Sequence, residues 1–178
     1  MEHGKAVIEQ LRDGQIKSQK RGIHFILASI VLWCGITVVG MSDFPVLTKN
    51  MITFCLSAPL MPLALLFSKM LGITFNDKKN PLNFLGILFA LAQMPYLLIV
   101  MWAYSKMPNQ MVMLYAMITG AHFLPYGWLY KSKVYYIYAV IIPVVELVLG
   151  CTANAWITAL GMVILEITLL AALLWENR

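Results

Sequence analysis

Three ionisable side chains sit inside long apolar stretches: His122, Glu146 and Glu166, with the uncharged Gln93 in a fourth such stretch. Each costs at least a few kcal/mol in hydrocarbon, so it calls for a partner or a task such as proton relay or ion binding. Laid out at 100° per residue, Tyr115, Thr119, His122 and Tyr126 fall on one helical stripe that continues to Tyr130. That is a ladder of hydroxyls around a single imidazole. Glu166 shares a face with Ala155, Ala159 and Met162, and small residues at four-residue spacing let another helix approach closely. Glu146 shares its face with Ala139, Pro143 and Gly150; Gln93 lies with Gly86 and Ala90. Counted from the outer boundary, at Asn109, Asn154 and Cys151, His122 and Glu166 lie at about the same depth, roughly 18–20 Å down, with Glu146 only about 7 Å down. His122 and Glu166 are therefore expected at the centre of a polar pocket or proton path, with Glu146 at its entrance. The alternative is interhelical hydrogen bonding alone, worth about 0.6 kcal/mol per bond in membranes.

The elements that position these groups are apolar helices. About 20 helical residues cross a 30 Å hydrocarbon core, and six segments qualify, at about 22–41, 51–72, 84–103, 110–130, 134–150 and 155–175. Pro59 and Pro62 predict a kink in the second, and Pro143 lies in the fifth. In the fourth, Pro125 leaves the Ala121 carbonyl without its helical partner beside His122. The connections are short, and Asn76, Asp77, Asn80, Pro81 and Asn83 are ordinary turn formers. Residues 1–22 form a polar N-terminal segment in which Val7, Ile8 and Leu11 give a weak amphipathic pattern, enough for a short helix on a membrane surface. The expected fold is all-α: a six-transmembrane-helix bundle over residues 23–175.

Composition demands the same solvent. The chain of 178 residues is 61% hydrophobic and 12% charged, with a mean hydropathy of +0.78, against about 25% charged in ordinary soluble domains. Its net charge of +5 comes from 13 basic residues in short clusters between apolar segments. Placing the N-terminus inside puts eleven of them, Lys78, Lys131, Lys133 and Arg178 included, on the cytoplasmic side and leaves only Lys49 and Lys106 outside. That bias predicts cytoplasmic N- and C-termini. Basic residues so placed contact lipid head groups, and no nucleic-acid partner is expected, because aromatic–basic interleaving is missing from the polar segments.

Other signals are weaker. Cys34, Cys55 and Cys151 have no metal-ligand spacing and are expected as small core residues. His24 is expected to reach the head groups, and Trp33, Trp102, Trp128, Trp156 and Trp175, with Tyr135, Tyr136 and Tyr138, to anchor the interfaces. The 12 methionines follow no regular copper motif. No H-E-x-x-H, G-x-S-x-G, Walker or G-x-G-x-x-G motif is present, so no catalytic residue, metal or cofactor is assigned.

The segments Lys20–Ser29, Ser57–Ala64 and Gly120–Lys133 resemble the DUF7010 family of small bacterial membrane proteins. The likeness runs from about residue 10 to 170. It implies a bacterial multi-pass membrane protein and carries no ligand or catalytic residue, because the family is one of unknown function. The expectation is a plasma-membrane protein that binds or translocates a small solute or ion, proton coupling running through His122 and Glu166. The alternative is a non-catalytic partner or regulatory subunit of another membrane protein, or a homo-oligomer.

Overall fold

A computed structural model describes residues 2–75, 77 and 79–177. Asn76, Lys78 and Arg178, which enter the turn and charge arguments, lie outside the described residues. All regular structure among the described residues is helical: α1 (Glu2–Gln19), α2 (Ile23–Met41), α3 (Val46–Ser57), α4 (Leu60–Met70), α5 (Pro81–Leu91), α6 (Gln93–Lys106), α7 (Met111–Ala121), α8 (Leu124–Leu129), α9 (Lys133–Thr152) and α10 (Ala155–Glu176), with short 3₁₀ turns at Lys20–Gly22 and Pro108–Gln110.

Helix ends follow the local chemistry. Asn80 caps α5 by accepting a hydrogen bond from the Leu82 amide, with Pro81 at the first helical position where its missing N–H costs nothing. Ser132 caps α9 through the Tyr135 amide. Prolines divide the segments: α3 and α4 meet at Pro59 with a bend of 43°. The stretch from 110 to 130 is not one helix. Pro125 has no N–H for the Ala121 carbonyl, and α7 ends in a turn at His122-Phe123 before α8 begins.

Among the described residues four helical runs are long and apolar enough to cross a membrane: Glu2–Met41 containing α2, Pro81–Lys106, Lys133–Thr152 and Ala155–Glu176. The bent pair of α3 and α4 makes a fifth. α7 and α8, of 11 and 6 residues, are each too short to qualify. Side-chain placement fits an apolar solvent around the bundle. Val38, Phe84, Leu98, Val140, Val144, Ile164 and Trp175 are exposed, while Glu146, Thr158, Glu166 and His24 are buried.

The core is built where α2 packs along α10 and α4, and where α7 and α10 pack on α9. Ile26, Trp33, Ile36, Ile142, Ala159, Met162 and Leu169 fill it. At one end, Arg21 donates to the Glu176 carbonyl at 3.0 Å and to Asn177 Oδ1 at 2.6 Å, and Ser132 Oγ donates to Glu176 Oε2. The beginnings of α2 and α9 are thereby tied to the end of α10.

The N-terminal segment is longer and more firmly held than its weak amphipathic pattern suggests. α1 is separated from α2 by three consecutive residues of positive φ, Lys20, Arg21 and Gly22. Gly22 adopts φ +74° freely, whereas the two cations are held there by bonds to Leu71 O and to the end of α10. Gln15 and Gln19 are buried. Gln19 Nε2 donates to Asn83 Oδ1 at 2.9 Å and to Thr74 O, and Asn80 Nδ2 donates to Leu11 O at 2.8 Å.

Three expectations need correction. Cys34, Cys55 and Cys151 are exposed rather than core residues, since a thiol meets little cost on a face turned to an apolar solvent. His24 is fully buried against Phe25 and Phe75, with no hydrogen-bond partner on either ring nitrogen among the described residues, because its face of α2 turns into the bundle. Trp33 and Tyr135, each 2% exposed, are core side chains rather than interface anchors.

Candidate functional site

α7 and α8 continue one face of the bundle across their break, because the turn at His122-Phe123 preserves the helical advance closely enough to keep the stripe aligned. Tyr115, Thr119, His122, Tyr126 and Tyr130 all line one partly open cavity of about 60 Å³. Gln93, at the start of α6, lines it from across the bundle and donates from Nε2 to Thr119 Oγ1 at 3.2 Å. Thr119 in turn donates to the Tyr115 carbonyl at 2.9 Å. The opposite wall is α2, which contributes Phe25, Ser29, Trp33 and Ile36.

The walls are largely aromatic. Trp33 stacks on Tyr115 with centroids 5.1 Å apart, and His122 meets Tyr126 edge-on at 5.4 Å. Tyr126, Tyr130 and Tyr135 form a mutual cluster with centroids 5.9–6.0 Å apart. Two of these hydroxyls are fixed to backbone: Tyr126 donates to Gly86 O at 3.1 Å, and Tyr135 to Arg21 O at 2.7 Å. The rings are therefore held at set angles around the space.

The two glutamates stand behind this wall and not in it. Glu166 is fully buried, and its Oε1 accepts a 2.6 Å hydrogen bond from Ser29 Oγ, whose residue lines the cavity. Its Oε2 has no partner among the described residues. No hydrogen bond or ion pair joins Glu166 to His122 among the described residues; the carboxyl meets Ser29 of α2 instead. Glu146 is not at an entrance. It is fully buried between α9 and α10, neither oxygen has a partner among the described residues, and a Cβ added at Gly161 would lie 3.1 Å from its Oε1. Gly161 thus makes the space in which the carboxyl sits.

Ser29, Trp33 and Tyr135 are the site residues that single-residue reasoning missed. Ser29, Leu32, Trp33 and Ile36 follow the i, i+3, i+4, i+7 pattern of one helix face, a signal that marks them as neighbours without saying what they face. Among the described residues no group of three His, Cys, Asp or Glu is arranged to hold a metal ion.

Fold and site together define an all-helical protein whose four or five apolar helices are able to span a membrane, with buried carboxyls beside an aromatic cavity. The chain belongs to DUF7010, a family of unknown function, whose model matches residues 8–176. No curated protein and no solved structure matches it.

Proposed function

We propose that this is a bacterial plasma-membrane protein that crosses the bilayer six times, both termini cytoplasmic, and binds or translocates a small solute or ion through the cavity beside Glu166. The two bent passes, α3–α4 and α7–α8, complete the six. The observation that carries the solute reading is the fully buried Glu166, bonded on one oxygen to the cavity-lining Ser29 and unpartnered on the other. A purely structural glutamate in hydrocarbon saturates its bonds, since each unmet polar group is costly there. Gln93, Thr119, His122, Tyr115 and Tyr126 supply polar contacts inside the cavity, and Glu146 is a second buried carboxyl on the neighbouring helix.

The test is Glu166→Gln in protein reconstituted into liposomes carrying an internal pH dye. Solute-dependent proton movement is expected to fall at least about tenfold, with thermal stability unchanged. Unchanged proton movement, or none in the parent protein with any solute class, removes the reading.

A second reading, a non-catalytic membrane partner or homo-oligomer, is favoured by α5 and α6. Phe84, Leu88, Leu91, Leu98, Ile99, Met101 and Trp102 are exposed along that run. Co-purification of one stoichiometric partner, together with an inert Glu166→Gln, would support it.

A further inference from the structure

We propose that the cavity binds a small alkylammonium cation, its charge held against the ring faces of Trp33, Tyr115 and Tyr126 and balanced by Glu166 behind Ser29. The inference rests on the solute reading above and names the class of solute.

The lining excludes the other charge classes. Among the described residues no lysine or arginine lines the cavity, so an anion would find no counter-charge from them there. Seven of the seventeen described residues that line it are Phe, Tyr or Trp, and aromatic ring faces attract a cation. The stack of Trp33 on Tyr115 and the fixed Tyr126 hydroxyl hold these rings before any ligand arrives. Preorganised rings attract an alkylated ammonium better than a hydrated metal ion, whose water shell they cannot replace.

Size narrows the class further. A cavity of about 60 Å³ is well under half of the roughly 150 Å³ that admits benzene. It suits an occupant of two to four heavy atoms. Gln93, Thr119 and His122 offer hydrogen-bond acceptors for its N–H groups, while the rings meet its alkyl end.

Glu166 supplies the negative charge. A carboxyl buried without a cationic side chain needs a counter-charge, which is a proton in the empty site and the ammonium ion in the filled one. Entry of the cation therefore releases one proton, and the two compete. The titratable groups that face Glu166 are Glu146 on α9 and Tyr115 on α7, with His122 in the cavity beyond; no ion pair joins it to a lysine or arginine among the described residues.

The experiment is thermal unfolding and tryptophan fluorescence of the detergent-purified full chain titrated with ethylammonium chloride, against sodium chloride, ethanol and sodium acetate. Ethylammonium is expected to raise the midpoint saturably by about 5 °C, the others not at all. One proton released per cation bound makes its apparent affinity about a hundredfold weaker at about pH 5.5 than at about pH 7.5. Glu166→Gln should abolish binding. Trp33→Leu should weaken it about tenfold while Trp33→Phe retains most of it, and this pair decides the matter if Glu166→Gln does not fold. Stabilisation by ethanol or acetate instead overturns the cation class and leaves the solute site standing. Equal responses to ethylammonium and sodium, or full binding by Trp33→Leu, overturn the proposal outright.

Discussion

Glu166 and Glu146 illustrate how the same residue type meets different surroundings in one helical bundle. Glu166 meets a hydroxyl because α2 presents Ser29 to it; Glu146 meets a gap because α10 presents Gly161. Close approach of helices is what makes both possible, and its cost is intolerance of added atoms. Gly120 shows this most sharply: a Cβ there would run into the Ile142 side chain and the Pro143 ring, and Ile142 is fully buried. Gly120→Ala is accordingly expected to destabilise the protein by about 1–3 kcal/mol, measured as a lowered unfolding midpoint in detergent, and to disturb the adjoining Thr119 and His122. A neutral Gly120→Ala would mean that α7 and α9 shift apart freely.

At the scale of elements, α1 is the piece held by polar contacts instead of apolar burial. Lys131 bridges to Glu9 and Asp13, the latter at 2.7 Å, and Arg12 lies over the Trp128 ring, 4.8 Å from its centroid. The hydrogen bond from Lys131, joined by the charge of Arg12, lowers Glu9 below its ordinary 4.5; the same lysine lowers Asp13 below 3.8. The hydrogen bonds to Asp13 and Glu9 raise Lys131 above 10.5. For the two acids, folded values below the unfolded ones mean that their contribution is present above about pH 4.5 and lost as pH falls through the lowered values. For the lysine, the contribution is present below 10.5 and lost as pH rises through the raised value. Docking of α1 is therefore strongest across the neutral range. Glu9 and Asp13 are solvent-exposed and Lys131 is half-buried, so salt screens the contacts. Lys131→Gln should raise amide exchange across residues 5–17, after correction for intrinsic rates, and high salt should do the same to the parent protein. Unchanged exchange in Lys131→Gln would assign the docking to Gln15, Gln19 and Asn80.

For the whole molecule, the end of α10 and the charged turns at Lys20–Gly22 and Lys131–Lys133 gather at one end, tied by Arg21, Glu176 and Lys131. The opposite end, with Asn50 donating to Pro108 O and Gly40 against Trp156, holds Lys49. Positive charge concentrates at the first end, which under the proposed topology faces the cytoplasm. Reporters fused after Lys133 and after Lys106 should report opposite sides of the membrane, with Lys133 inside. Activity that put the Lys133 fusion outside would invert the molecule and the direction of any proton movement.

The apolar segments, their proline breaks and the stripe from Tyr115 to Tyr130 follow from the sequence by itself. Each depends on hydrophobic length or on residues three and four apart, and both are local properties of the chain. The division of α7 from α8 was foreshadowed by Pro125 but not its completeness. What only tertiary structure decided is which faces meet: Ser29 with Glu166, Trp33 with Tyr115, Gly161 with Glu146, and α1 with the turn before α5. Periodicity gives the direction in which a side chain leaves its own helix. It says nothing of the rotation and pairing of the helices across from it, because many packings bury similar apolar area. Hence Trp33, Tyr135 and His24, residues equally suited to an interface or a core, were placed by packing alone.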